Sequence, residues 1–297
     1  PEFCDKYKAD IANYANFQTA VNTSDLTSNL KFHKDMERLS RKITTRTYPP
    51  TNWFYERTRG QYSTQLRGMR NENDRKSFLL KFPKIQVFTK DELAKYEVTW
   101  QMQPHIVKKG TNPTRQFLMG PIEKVYKENA AHQLDSIYFE NAVSKILLFK
   151  QLDSLISKSD WYKKERGLKA EAVTYTIALV RTRLLERHKD INLAYIFNEQ
   201  NISENLAKVL VAAAKLIRKN IMSIEFRNGA ANPAEFCRDE KGWDKIKQTI
   251  IDVSALREPA INDASGQVKG SLTPHASSKP VKPIPETIDY DVTGVRV

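Results

Sequence analysis

The chain is poor in cysteine. Its 297 residues hold only Cys4 and Cys237, too few and too far apart for a disulfide framework. There is no CxxC pair and no Cys/His cluster, so no zinc site is expected, and a reducing cytoplasm fits best. No run of about 18 apolar residues occurs, which excludes a membrane-spanning helix and leaves membrane out of the expected partners. The charges of Asp5, Lys6, Lys8 and Asp10 argue against a signal peptide there. No GxxxxGK[ST] is present, so no P-loop hydrolyses nucleotide here, and no internal repeat is found. An initiator Met is also missing. The opening Pro1-Glu2-Phe3 resembles the remnant of a cloning vector after tag cleavage and is set aside as residues 1–3; a piece cut from a longer polypeptide is expected.

What is present is positive charge. There are 48 Lys and Arg against 35 Asp and Glu, a net charge of +13. Such a balance draws a protein to nucleic acid, to an anionic membrane or to an acidic partner; the bland alternative is a solvated basic surface. Between Arg46 and Arg115 lie 14 basic and 6 acidic residues, a local excess of +8. With 40% hydrophobic residues the chain can bury a sizeable core, as one large domain or two smaller ones.

Patterning predicts a mainly α protein, a helical bundle with a small mixed α/β element near residues 78–90. Tyr7, Ile11, Tyr14, Ala15 and Val21 lie at near-helical spacing, and residues 23–29 carry turn and cap chemistry. Phe32, Met36, Leu39 and Ile43 stripe a helix from Leu30 to Ile43, stopped at Tyr48-Pro49-Pro50. Asn71–Lys76 reads as a loop. Phe78–Phe82 and Ile85–Phe88 read as short strands broken at Pro83. Thr89 and Glu92 form a capping box for a helix to about Gln103, followed by a loop over Val107–Pro113. A long helix carries Leu134 to Leu155, another spans Leu168–Glu186, and Ser203 caps a third; Asp244–Val253 is expected as a short fourth. These helices should pack as an antiparallel bundle over residues 130–256. From residue 257 to 297, Pro259, Pro274, Pro280, Pro283 and Pro285 with Ser and Gly mark an extended arm.

The sharpest local feature is Trp53-Phe54-Tyr55-Glu56-Arg57-Thr58-Arg59-Gly60-Gln61-Tyr62. Arg57 and Arg59 supply planar donor forks suited to phosphate, Gly60 permits close backbone approach, and Tyr55 and Tyr62 offer stacking faces. Equally, Trp53 and Phe54 read as core, and Glu56 as the partner of an arginine.

This run is very like the WFYER-x-RGQY signature of the AIPR family, proteins of abortive infection and phage resistance. Other blocks follow in the family's order. Tyr14-Ala15-Asn16-Phe17-Gln18 is similar to its Asn-x-Gln element, with Asn16 and Gln18 at the matching places, and Ser24-Asp25-Leu26 follows, with Asp25 in register. Downstream, Phe82-Pro83-Lys84, Phe88-Thr89-Lys90 and Val107-Lys108-Lys109-Gly110 look like later blocks. Thr19-Ala20 and Thr111-Asn112-Pro113 depart from the pattern. The resemblance implies that residues 4–129 are the signature region of a C-terminal portion. It also implies that an upstream nuclease-like half, the place for any Mg²⁺, lies outside this chain, and that this part needs no cofactor. The expected role is recognition or regulation: nucleic-acid binding through Arg57, Arg59, Gly60, Gln61, Tyr62, Tyr55, Lys108 and Lys109. The protein's own N-terminal domain and a second copy are further partners.

Catalytic alternatives are weaker. Asp239-Glu240-Lys241 has the acid-x-Lys form of a Mg²⁺ nuclease but sits between helices. Arg183 and His188 have a spacing similar to that of the HEPN RNases, helical bundles that cut RNA; His188 also reads simply as a cation at a helix end. His33 and His105 are isolated and read as packing or capping residues. A scaffold for dimerisation or partner binding is the third reading.

Overall fold

A computed structural model describes residues 30–108, 112–118, 122–128, 133–230 and 232–264. Helix α1 (Lys31–Lys42) follows the predicted stripe, burying Phe32, Met36 and Leu39. Strand β1 (Phe54–Glu56) leads to α2 (Gln61–Gly68) and α3 (Glu72–Lys81). Strand β2 (Val87–Thr89) lies parallel to β1, with Tyr55 opposite Phe88. Helix α4 (Lys90–Trp100) starts at the expected capping box: Glu92 N donates to Thr89 Oγ1 and Thr89 N to Glu92 Oε2. Short helices α5 (Pro104–Val107), α6 (Asn112–Phe117) and α7 (Glu123–Glu128) follow.

The body is built on α8 (Ser136–Lys158), which packs against α4. A short α9 (Asp160–Lys164) leads to α10 (Lys169–Leu185). Strand β3 (Lys189–Ile191), α11 (Leu193–Glu199) and α12 (Glu204–Met222) come next, then α13 (Pro233–Phe236) and α14 (Glu240–Lys247). Ser203 caps α12 as predicted, accepting from Leu206 N at 3.2 Å. Helices α8, α10 and α12 pack on one another, and α11 lies against α8. Strand β4 (Ile261–Asp263) pairs antiparallel with β3.

The fold is mainly α, with two small two-stranded sheets among the described residues. Several local expectations need correction. Phe78–Phe82 is no strand; residues 78–81 form the last turn of α3 and Phe82 its C-cap. Asn71, read as loop, caps that helix by accepting from Asn73 N at 2.9 Å, and Glu72 and Asp74 favour its positive end. Phe78 and Phe82, four apart, then share one face and meet Phe54. The second expected strand is displaced: Lys84–Gln86 make a 3₁₀ turn, and pairing begins at Val87. The loop expected at Val107–Pro113 is bordered by α5 and α6. The last helix lies earlier than Asp244–Val253 because Asp239 caps it, accepting from Lys241 N at 3.1 Å. Residues 260–263, within the expected arm, pack on the body: Ala260 and Ile261 are buried, and Asn192 N donates to Ala260 O. The helix expected over residues 5–22 lies outside the described residues, as do Asn16, Gln18, Asp25 and Lys109.

Candidate nucleic-acid interface

The signature folds as a strand, a tight turn and a helix start. Gly60 supplies the turn, as the α2 N-cap in the left-handed region at φ 73°. Two side chains satisfy the backbone around it. Glu56 Oε1 accepts from Tyr62 N at 3.0 Å, capping α2, and Gln61 Oε1 accepts from Arg57 N and Thr58 N. Glu56 therefore serves a helix end, and the expected arginine partnership belongs to another carboxylate. Arg57 Nε donates to Glu37 Oε2 of α1 at 2.9 Å, Gln61 Nε2 donates to the other oxygen of Glu37, and Arg41 lies 3.8 Å from it.

The rings point inward. Trp53 is buried and donates through Nε1 to Gln200 Oε1 at 2.7 Å. Phe54, Tyr62 and Phe82 form their own buried cluster, to which the Tyr62 hydroxyl adds a bond to Phe82 O at 2.7 Å. The Arg41 guanidinium sits 4.1 Å from the Phe54 ring centroid. Tyr55 is wholly buried; its hydroxyl meets His33 Nδ1 at 2.5 Å and the two rings stack. Burial, then the nearby charges of Lys90 and Arg57, push His33 down to about 3, so the imidazole is neutral. Burial pushes the Tyr55 phenol well up, so it stays a hydroxyl. His33 is thus a core residue, as expected.

The predicted binding residues therefore divide. The rings of Tyr55 and Tyr62 are closed to stacking by burial. Arg57 and Gln61 are engaged with Glu37, and Lys108 pairs with Glu171 of α10 at 2.9 Å. Arg59 alone of the signature cations is exposed. It heads a series the sequence reading did not single out: Arg59, Arg67, Arg70, Arg75, Lys76, Lys81 and Lys84 are all exposed, and none forms an ion pair among the described residues. Only Glu72 and Asp74 oppose them within that stretch. The signal was the charge excess over Arg46–Arg115; what it could not separate was paired from unpaired cations. Helix α3 explains the exposure, since none of its residues is buried and its one inward ring, Phe78, is half-buried.

The candidate catalytic pairs have structural employment. Arg183 donates to Glu186 at 2.7 Å and to the carbonyl of Lys247. His188 lies beyond the end of α10 in the left-handed region at φ 56°, exposed, and its carbonyl accepts from Ala264 N at 3.2 Å. No hydrogen bond joins the two among the described residues. Asp239 of the acid-x-Lys string is the α14 cap. His105 is buried in α5. Among the described residues no group of three or more His, Cys, Asp or Glu is placed to hold a metal ion, and no helix is long and apolar enough to cross a membrane.

None of the curated proteins and none of the solved structures matches this chain. A family model does: the one described as AIPR protein matches residues 4–225, most of the chain and all of the signature. The chain belongs to the AIPR family, the proteins of abortive infection and phage resistance.

Proposed function

We propose that this chain is the recognition part of an anti-phage protein, and that it binds nucleic acid through the exposed cations from Arg59 to Lys84 on behalf of a nuclease domain upstream. One observation carries the reading: seven exposed Lys and Arg side chains, unpaired among the described residues, on a segment whose central helix buries nothing. Long cationic side chains held apart without carboxylate partners are the arrangement that phosphates neutralise, and each such contact releases a counterion. Arg59 keeps its expected place; Arg57, Gln61, Tyr55 and Tyr62 act by holding the turn that presents it.

A salt titration tests this. Affinity for an oligonucleotide should fall steeply as salt rises. The triple change Arg67→Ala, Arg75→Ala, Lys76→Ala should flatten the slope of log affinity against log salt by about 2–3. Its melting temperature should stay near that of the parent, because exposed charges contribute little to folding. An unchanged slope, or no binding at low salt, rejects the reading.

A further inference from the structure

We propose that this cationic face takes an unpaired nucleic-acid strand rather than a duplex, with Tyr48, Leu80 and Ile85 as the surfaces on which its bases rest. The inference rests on the nucleic-acid reading above and narrows it. Three large apolar side chains stand in solvent among the cations: Tyr48 is 98% exposed, Leu80 74% and Ile85 79%. They are outside a core that is already complete. Phe54, Tyr62, Phe78, Phe82 and Val87 close on one another without them, and helix α3 turns Phe78 inward and leaves Leu80 out.

Tyr48 comes from a different stretch of chain. Thr44 bridges antiparallel to Asn52, and Thr45 N donates to Thr51 O at 2.7 Å, making a hairpin with Tyr48 at its tip. The base of that hairpin is fastened to α3, because Asn52 N donates to Lys81 O at 2.7 Å. Four residues of chain beyond that bond keep Tyr48 within roughly 20 Å of Lys81. Leu80 adjoins Lys81 and Ile85 adjoins Lys84 in sequence, and all four side chains are exposed, so apolar and cationic groups are interspersed along this stretch.

The chemistry selects the occupant. A second copy of the chain would set this cluster of cations against its own image. A duplex would satisfy the cations but keeps its bases stacked inside, leaving Tyr48, Leu80 and Ile85 as bare as before. An unpaired strand offers both phosphates for Arg75, Lys76, Lys81 and Lys84 and open base faces for the three apolar side chains.

The test uses the full 297-residue chain and fluorescence anisotropy with a labelled mixed-sequence strand, as DNA and as RNA, alone and annealed to its complement at one salt concentration. The single strand should bind about tenfold more tightly than the duplex, and Tyr48→Ala should remove about tenfold of single-strand affinity. Leu80→Ser with Ile85→Ser should weaken it further. Neither variant should change duplex affinity, the salt slope or the melting temperature. Equal or tighter binding of duplex, or variants that weaken both forms alike, would overturn the proposal and leave the nucleic-acid reading standing. Binding to neither form overturns both. Capture by phosphatidylserine vesicles, lost in the Leu80→Ser, Ile85→Ser variant and unaccompanied by any single-strand preference, would assign the face to a membrane and also overturn it.

Discussion

Glu37 and His33 lie four residues apart on α1 and hold the signature from beneath in opposite ways. Glu37 is half-buried and charged, and it gathers Arg57, Gln61 and Arg41. His33 is fully buried and neutral, and its stability effect therefore depends on pH. Its folded value near 3 lies below the ordinary 6.5 because burial, Lys90 and Arg57 all oppose protonation. Between those limits the unfolded chain takes up a proton that the folded chain refuses. The stability is full above pH 6.5 and is lost as pH falls toward 3, by up to several kcal/mol. Urea denaturation across this window should show the loss. His33→Gln, which keeps a partner for the Tyr55 hydroxyl but does not titrate, should flatten that acid slope. An identical slope in the variant would show that other groups dominate the acid sensitivity.

Elements meet through a few buried polar joints, and a buried ion pair joins α4 to α8. Lys145 Nζ lies 2.8 and 2.7 Å from the two oxygens of Glu97, with both residues buried. Lys145→Met strands a buried carboxylate and should cost about 3–5 kcal/mol, read from a denaturant melt. Adding Glu97→Met should restore most of that loss, because a well-packed apolar pair replaces such an ion pair at little cost. If the double variant were as unstable as the single, the joint would matter for shape rather than charge. Nothing in the sequence marks Lys145 or Glu97, since their pairing spans 48 residues. The helices themselves were legible wherever an apolar stripe recurred at helical spacing, as at Phe32-Met36-Leu39 or along Leu206-Leu210-Ala213-Ile217. Capping at Thr89 and Ser203 was legible too. The short apolar runs were not: Phe78-Leu79-Leu80-Lys81-Phe82 satisfies a strand or a helix, and only its meeting with Phe54 decides between them. The candidate site was half legible for the same reason. Composition located the cationic region, but which arginine meets Glu37 and which faces water is a tertiary fact.

At the scale of the whole molecule, one hydrophobic core runs from Phe32 on α1 to Ile261 on β4. It takes in Tyr55 and Phe88 of the signature region together with Leu148, Val180 and Leu210 of the long helices. The stretches on either side of residue 130 thus stabilise each other, and the cationic face is carried on the same body as the helices. The strand near the end of the described chain closes that core. Ile261 lies opposite Ile191, Asn192 N donates to Ala260 O, and Ala264 N donates to the carbonyl of His188. A chain stopped after Leu256 loses this strand and uncovers Ile191, which is otherwise fully buried. Against a chain stopped after Ala264 it should be less stable by roughly 3 kcal/mol, about the worth of one buried isoleucine and the shielding of another. Thermal melts of the two chains measure the difference. Coincident curves would mean that β4 rests on the surface without contributing to the core, and that Ile191 is covered equally well without it.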